Sequence, residues 1–418
     1  MWRKLFGTKS TEASKRTKCA SNNMLLLDQY SASSPNSALS LYETSTAVSI
    51  PINKIISQFK SLKPILEIGD EVHTKHDVLE LLNNPNMFFD RDLFFESLGI
   101  NYEVTGEACI VAVGNINDAP VELHTISPSY INVRLQGGVP VAIDVTGELL
   151  QGTYVLQNGR YVRDEVTELL FIRSFSRRQN SYERGASKLV SALNEVRQHI
   201  LGTTHNVALL TNGAKVSLLF HFKQDMDEDQ FEETKRRIED AYVGADNAGS
   251  VKVTAGEDLD IKELGVTNRD MDFANLHELA RNAVAMQYNI PLPLVNLSAE
   301  TYSNYQSAIV ALYDDCVLPL ADKLFGALSR FLLPRFDIDA NTAKITYNPL
   351  QIPALRKRML EEIKLRRDIG AETDNELRQL MGRESYDGGN TVYKPANLLP
   401  IGDDELSPDD DEDPFLDE

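Results

Sequence analysis

Residues 274–333 read ANLHELARNAVAMQYNIPLPLVNLSAETYSNYQSAIVALYDDCVLPLADKLFGALSRFLL. Apolar residues first recur at helical spacing, so a helix starting near Asp270 or Asp272 turns Phe273, Leu276, Leu279 or Ala280, and Ala283 inward. Pro291 ends it, because its ring has no amide hydrogen and crowds the preceding turn. Leu294 to Thr301 then form a short loop with Glu300 as its only ion, entered through Pro291 and Pro293, which stiffen it. From Ser303 to about Phe331, Tyr305, Ile309, Leu312, Cys316, Leu320, Leu324, Leu328 and Phe331 step by three and four along one long rod. Pro319 removes one backbone bond in that rod and predicts a kink there. This unit offers no catalytic groups. It is a finger held out by two rods.

Upstream, Leu189, Leu193, Val196, Ile200, Thr203, Val207 and Leu210 make a second long stripe, starting near Ser187 and stopped by Asn212-Gly213. Such a helix is about 39 Å long. Its stripe fits core packing within one subunit and sideways packing against copies of itself equally well. Between the two helices, residues 215–268 read as a small β-α-β-β module: a strand at Lys215–Phe222, a helix capped by Asp227 with Phe231, Ile238 and Tyr242 on one face, and strands at Ser250–Thr254 and Leu259–Leu264.

The N-terminal half reads as an α+β unit on a meander. HDVLELLNNPN from His76 gives a short helix ended by its proline, and Asp90–Leu98 a second with Leu93, Phe94 and Leu98 on one side. Strands follow at Glu107–Val113, within Val121–Val133, and at Val139–Asp144, Gly152–Leu156 and Leu169–Ile172, with glycine, asparagine and proline turns between them. After the rod come a strand at Lys344–Tyr347, a basic helix at Pro353–Arg367, and a helix opened by the capping box Thr373–Glu376. Residues 1–45 are Ser/Thr/Asn-rich and read as a flexible arm. Residues 403–418 hold ten Asp or Glu and no Lys or Arg, and read as a disordered acidic tail.

The 418 residues, 42% hydrophobic and 25% charged, suit a soluble chain of two or three domains. The longest apolar runs, such as Cys109–Val113, are too short to span a membrane, and the basic N-terminus lacks the apolar core of a signal peptide, so the chain is expected to fold in the cytosol. Cys19, Cys109 and Cys316 are widely spaced and read as free or buried thiols. No phosphate loop, dinucleotide fingerprint, nucleophile elbow or zinc spacing is present, so no cofactor, metal or enzymatic activity is expected. The acidic run Asp225/Asp227/Glu228/Asp229 reads as a solvated helix start. Of Asp314 and Asp315, one is expected exposed and the other paired with a nearby Lys or Arg. The net charge of −20 argues against tight duplex binding, which needs a basic face.

The order of these segments resembles the portal proteins of tailed bacteriophages, in the large HK97-like group. HDVLELLNNPN with DRDLFFESLGINYEVTGEACIVAV is similar to that family's helix, PN turn and helix–strand unit. ELHTISPSYINV resembles its P-x-x-V strand, and FIRSFS with ERGASKLVSALNEV the entry to its first stem helix. ARNAVAMQYNIPLPLVNLSAETYSNYQSAIVALYDDCVLPL is similar to its helix, proline stop, loop, YSN start and proline-centred helix, and ETDNELRQLMG to its late helix. The likeness covers about residues 70–385. Leu292 parts two prolines that the family commonly has adjacent, and Val295-Asn296 stands where a glycine is usual.

The resemblance implies a wing–stem–clip–crown fold: wing 46–186, stem helices 187–214 and 269–290 around a clip 215–268, tunnel loop 291–302, kinked wing helix and strand 303–349, and crown helices 350–402. It implies a dodecameric homo-oligomer at one capsid vertex of a virion, assembled in the host cytoplasm. Its expected partners are the terminase large subunit, the major capsid protein, a head–tail adaptor and double-stranded DNA in transit, with no membrane. Leu294, Val295, Asn296, Leu297, Ser298, Ala299 and Glu300 would face the DNA, held weakly and without base readout. His221, Lys223, Asp225, Asp246 and Asn247 would be the clip residues facing terminase or adaptor. Another ring-forming virion adaptor or capsid-associated structural protein is the nearest alternative.

Overall fold

The structure, a computed structural model, describes residues 34–392 apart from 70, 115–118, 148–149, 177–181, 212–217, 264–272, 297–301, 371, 382 and 384, and within 223–258 only 229, 233 and 236. Two helices open it, α1 (Pro35–Thr44) and α2 (Thr46–Phe59). Helix α1 lies inside the expected flexible arm. Ser34 caps it through the Ser37 amide, and Ala38 and Leu41 are buried, so its apolar face ties residues 35–44 to the core. Then come β1 (Pro64–Ile68), β2 (Glu71–His73), α3 (Asp77–Asn83) and α4 (Arg91–Thr105). Helix α4 runs seven residues past Leu98 to its left-handed cap at Gly106. It buries Phe94, Phe95 and Leu98 while Leu93 stays half exposed, so its inward face is turned one residue from the expected one.

A seven-stranded antiparallel sheet follows: β3 (Glu107–Val113), β4 (Glu122–Ile126), β5 (Ile131–Gln136), β6 (Val139–Val145), β7 (Gly152–Gln157), β8 (Arg160–Asp164) and β9 (Thr167–Arg173), in spatial order β4-β3-β9-β8-β7-β6-β5. Strands β5 to β9 are the expected meander, and the polar strand β8 is an addition to it. Strand β3 is buried on both faces, which is why it is apolar throughout after Glu107. Ala108, Ile110 and Ala112 point into the main core, and Cys109 and Val111 into a second cluster with Ile143, Tyr154 and Leu169.

A 3₁₀ turn, Lys188–Ala192, leads into α5 (Leu193–Thr211). Strands β10 (Leu218–Phe222) and β11 (Leu259–Glu263) pair antiparallel. Helix α6 (Phe273–Gln287) returns against α5. The expected Asp227 helix face and the Ser250–Thr254 strand lie outside the described residues. The rod is α7 (Tyr302–Leu312), one π-helical turn (Tyr313–Val317) and α8 (Leu318–Leu332). Pro319 occupies the first turn of α8, where a missing amide is tolerated, and the wide turn just before it absorbs the break in the hydrogen-bond ladder. Strand β12 (Ala343–Tyr347) crosses back to β1 with Ile65 opposite Thr346. Helices α9 (Pro353–Ile369) and α10 (Asp374–Leu380) close the described chain, the latter with both hydrogen bonds of the Thr373–Glu376 capping box.

At the centre Phe59, Phe95 and Phe325 meet from α2, α4 and α8. Ring centroids are 5.8 Å apart for Phe59–Phe95 and 5.4 Å for Phe95–Phe325, so the N-terminal helices and the rod share one core. Among the described residues no helix is long and apolar enough to cross a membrane.

Candidate functional site

The proline stop is built from the end of α6. Asn289 takes a left-handed backbone (φ 57), its amide donates to Met286 O, and the Ile290 amide donates to Ala285 O at 2.8 Å. These two bonds and the buried Ile290–Ala285 pair form a Schellman motif, so the helix stops at Asn289 before Pro291 is reached. Asparagine tolerates that backbone better than other residues with a Cβ. Pro291 follows as the residue that cannot resume the helix. Leu292–Leu294 form a 3₁₀ turn, and the Leu294 and Val295 amides donate to Pro291 O and Leu292 O.

The turn is tied down from three sides. Tyr288, 2% exposed, donates its hydroxyl to Glu103 O of α4 at 2.7 Å. The Cys316 thiol, on the π turn, donates to Tyr288 O and Asn289 O at 3.1 and 3.3 Å. Lys188 pairs with the buried Glu103 carboxylate at 2.7 Å and lies 5.0 Å from the Tyr288 ring centroid. One buried cluster therefore joins the entry to α5, the end of α6, α4 and the rod. Burial, then Asp315 and Glu103, pushes the Cys316 thiol up to about 12, and burial raises Cys109 as well. Both thiols should resist iodoacetamide in the folded chain and react only as fast as it unfolds, as alkylation followed by mass spectrometry would read.

Of the residues expected to face DNA, Leu294 and Val295 are instead core. They are 8% and 6% exposed and belong to the main apolar core, because two apolar side chains beside a rigid turn are better buried than presented to water. Asn296 is half-buried and accepts from Arg281 Nη2 at 3.3 Å. Leu297, Ser298, Ala299 and Glu300 lie outside the described residues. Pro291 caps the turn and Pro293 lies inside it. On the two long helices, Ala280 faces in and Leu279 out, Tyr305 is partly exposed, and the α5 stripe is buried at Val196 and Ile200 but exposed at Thr203 and Val207. His199 of α5 and His277 of α6 meet edge to face at 4.6 Å, with Ser45 Oγ 3.3 Å from His199 Nδ1. Burial, then His277, lowers the His199 pKa, which favours the neutral ring at His199.

His221 of β10 stands opposite Asp260 of β11 in the strand register. Lys223, Asp225, Asp246 and Asn247 lie outside the described residues. Asp314 receives a two-pronged pair from Arg358, at 2.5 and 2.9 Å, while Asp315 is exposed, as the sequence predicts. Among the described residues no cluster of His, Cys, Asp or Glu could hold a metal ion.

Where the sheet meets the entry to α5, sequence reasoning missed a buried ion pair. Glu107, at the start of β3, accepts from the Gly185 amide at 2.5 Å and pairs with Arg184 at 2.7 Å. Arg184 also donates to Ile131 O and Pro128 O, so one guanidinium links three segments. The RG of ERGAS is the sequence signal for this joint. Burial pushes the Glu107 carboxyl up to about 6, against the pull of Arg184, the Gly185 amide and Arg173. Its folded pKa lies above the ordinary 4.5, so its stabilising contribution is full below that value and is lost as pH rises through about 6. The difference is roughly 2 kcal/mol. E107Q should flatten the stability–pH curve by that amount between pH 4.5 and 7, measured by urea unfolding. Parallel curves for the two proteins would exclude the assignment.

Comparison with known proteins identifies the class. The chain's fold is that of several solved portal and neck structures. One, the neck of a native GTA particle computed with C12 symmetry, aligns over 84% of this chain and 95% of its own with a TM-score of 0.58 and 24% identity. A chain of the virion of a native gene transfer agent particle is 25% identical over 84% of this chain and 94% of its own, with a TM-score of 0.57. An HK97 family phage portal protein from Corynebacterium diphtheriae has the same fold at 12% identity, covering 76% of this chain and 95% of its own, with a TM-score of 0.52. The family model described as phage portal protein matches residues 46–382, and the chain belongs to that family.

Two uncharacterized rickettsial proteins are also similar. That of Rickettsia bellii is 25% identical over 265 residues, 62% of this chain and 66% of its own. That of Rickettsia felis is 27% identical over 179 residues, 42% of this chain and 46% of its own. The matches therefore span just under two thirds and under half of these relatives' lengths.

Proposed function

We propose that this chain forms a dodecameric ring at one capsid vertex and serves as the conduit for double-stranded DNA during packaging and ejection. It docks the terminase large subunit while DNA enters and a head–tail adaptor afterwards, with the major capsid protein around it. Residues 46–186 are its wing, α5 and α6 its stem, residues 215–268 its clip, and residues 350–402 its crown. The observation that carries this reading is the match of residues 46–382 to the portal family. The braced proline turn supports it, because a loop pressed by a moving duplex needs a root that cannot give. A twelve-fold neck among the structures with this fold supports the subunit count.

The charge supports it as well. A chain at −20 repels phosphates, and a lumen that repels them lets a duplex slide. A basic lumen would gain counterion-release energy at each step and hold the DNA still.

Because Leu294 and Val295 are core, the loop must be altered beyond them. Replacing residues 297–300 by a Gly/Ser segment of equal length should leave twelve-fold rings in negative-stain images and lower the yield of DNA-filled particles at least tenfold. An unchanged yield would remove the loop from the mechanism. Compact monomers or dimers of the parent protein, or tight salt-sensitive duplex binding by its ring, would sink the conduit itself.

A further inference from the structure

Between the sheet and the rod lies a cleft of about 460 Å³ that the portal reading leaves without a task. One wall is α8, whose Lys323, Ala327 and Arg330 share a helix face. The other is β8 and β9, with Arg160, Phe171 and Arg173. Four cations thus surround a floor that includes Phe171, Ala327 and Phe331, on a chain whose net charge is −20. Lys323 and Arg330 have no ion-pair partner among the described residues. Arg173 lies 5.5 Å from the Phe171 ring centroid, and its Nη1 is buried without a hydrogen-bond partner. Glu168, which pairs with Arg160 at 4.0 Å, is also held by Arg335. The cleft is built for a ligand that is acidic and carries an apolar group.

We propose that the occupant is the chain's own acidic segment, residues 403–418. Its ten carboxylates complement the four cations, and Phe415-Leu416, between Asp413 and Asp417, complement the aromatic floor. Phe415 is 23 residues beyond Val392, the last described residue. That length can span up to about 75 Å, against a radius of gyration of roughly 22 Å for a compact chain of this size. Docked there, the segment covers with carboxylates the cations most able to hold a phosphate backbone. The docking stands independently of the conduit reading, because its tests need neither a ring nor DNA transit.

Carbodiimide coupling of the full chain joins a lysine to a carboxylate only when the two touch. Mass spectrometry should find Lys323 coupled to an acidic residue of 403–418, and K323R should lose that product. A full-length variant with the ten acidic residues changed to Asn or Gln should bind a labelled 403–418 peptide in fluorescence anisotropy. K323E/R330E in that background should weaken the peptide at least tenfold while leaving the circular dichroism unchanged, since both side chains are exposed. Absence of the Lys323 product, or peptide binding indifferent to the charge reversals, overturns the proposal. If the neutralised variant takes up labelled duplex DNA and not the peptide, and loses the duplex on charge reversal, the cleft is a nucleic-acid surface and the proposal is likewise overturned.

Discussion

Gly185→Ala is expected to destabilise the chain by about 3 kcal/mol or more, although it adds one methyl group. A Cβ at Gly185 would be driven into the carbonyl oxygen of Gly106 and against Cγ of Glu107. Neither can retreat cheaply. Gly106 caps α4 with φ 78, and its carbonyl accepts from the Ser174 amide at 2.8 Å. The Gly185 amide is itself held by Glu107 Oε1. Any shift therefore breaks the buried pair with Arg184 or unlocks the end of α4, both of which set where α5 leaves the sheet. Thermal unfolding of the variant should show a large drop in midpoint. A change within 0.5 kcal/mol would mean that the two backbones are not in fixed contact.

Phe325→Ala should cost ~3–5 kcal/mol in equilibrium denaturation, the range for removing a well-packed aromatic side chain. Phe325 is 1% exposed and touches rings from three other segments: Phe59 at 6.1 Å, Phe95 at 5.4 Å and Tyr347 at 6.3 Å between centroids. The cavity would open where α2, α4, α8 and β12 meet, so no single element could move in to fill it. F325L, which keeps most of the volume, should lose about half as much. Equal losses for the two variants would show that ring–ring geometry matters more than filled space.

The proline-stopped helix and the rod beyond it were legible in the sequence because their physics is local. Helical spacing, a missing amide and a capping box act within a few residues, and the observed elements follow them closely. What sequence reasoning missed depends on partners far along the chain. Helix α2 holds Pro51 and a run of Val and Ile that would suit a strand, and its burial against α4 and α6 makes it a helix. Strand β8, Arg160–Asp164, is too polar to read as a strand alone and exists as the link between β7 and β9. The Lys188–Glu103–Tyr288–Cys316 cluster joins residues up to 213 positions apart, a juxtaposition no spacing rule reveals.

Leu294 and Val295 show the same limit at the site. Reading them as loop followed from the prolines beside them, and burying them followed from what stands opposite. The stripe on α5 could have faced its own core or a second copy. The near half, Val196 and Ile200, packs within the subunit, while Val207 on the far half is exposed.

The π turn at Tyr313–Val317 has a consequence for how this rod can vary. A π turn is an α-helix carrying one surplus residue, so it advances the phase of everything after it by about 100° without a loop. Upstream and downstream halves can thus face different neighbours: α7 lies against the 3₁₀ turn of the proline stop, and α8 brings Phe325 to the aromatic core. Loss of a single residue from that turn would restore a regular helix, and the two halves could no longer satisfy both neighbours at once. The rod would then have to choose between its aromatic core and its seat against the proline stop. Length variation here is therefore quantised: one residue in the turn decides whether both halves keep their packing.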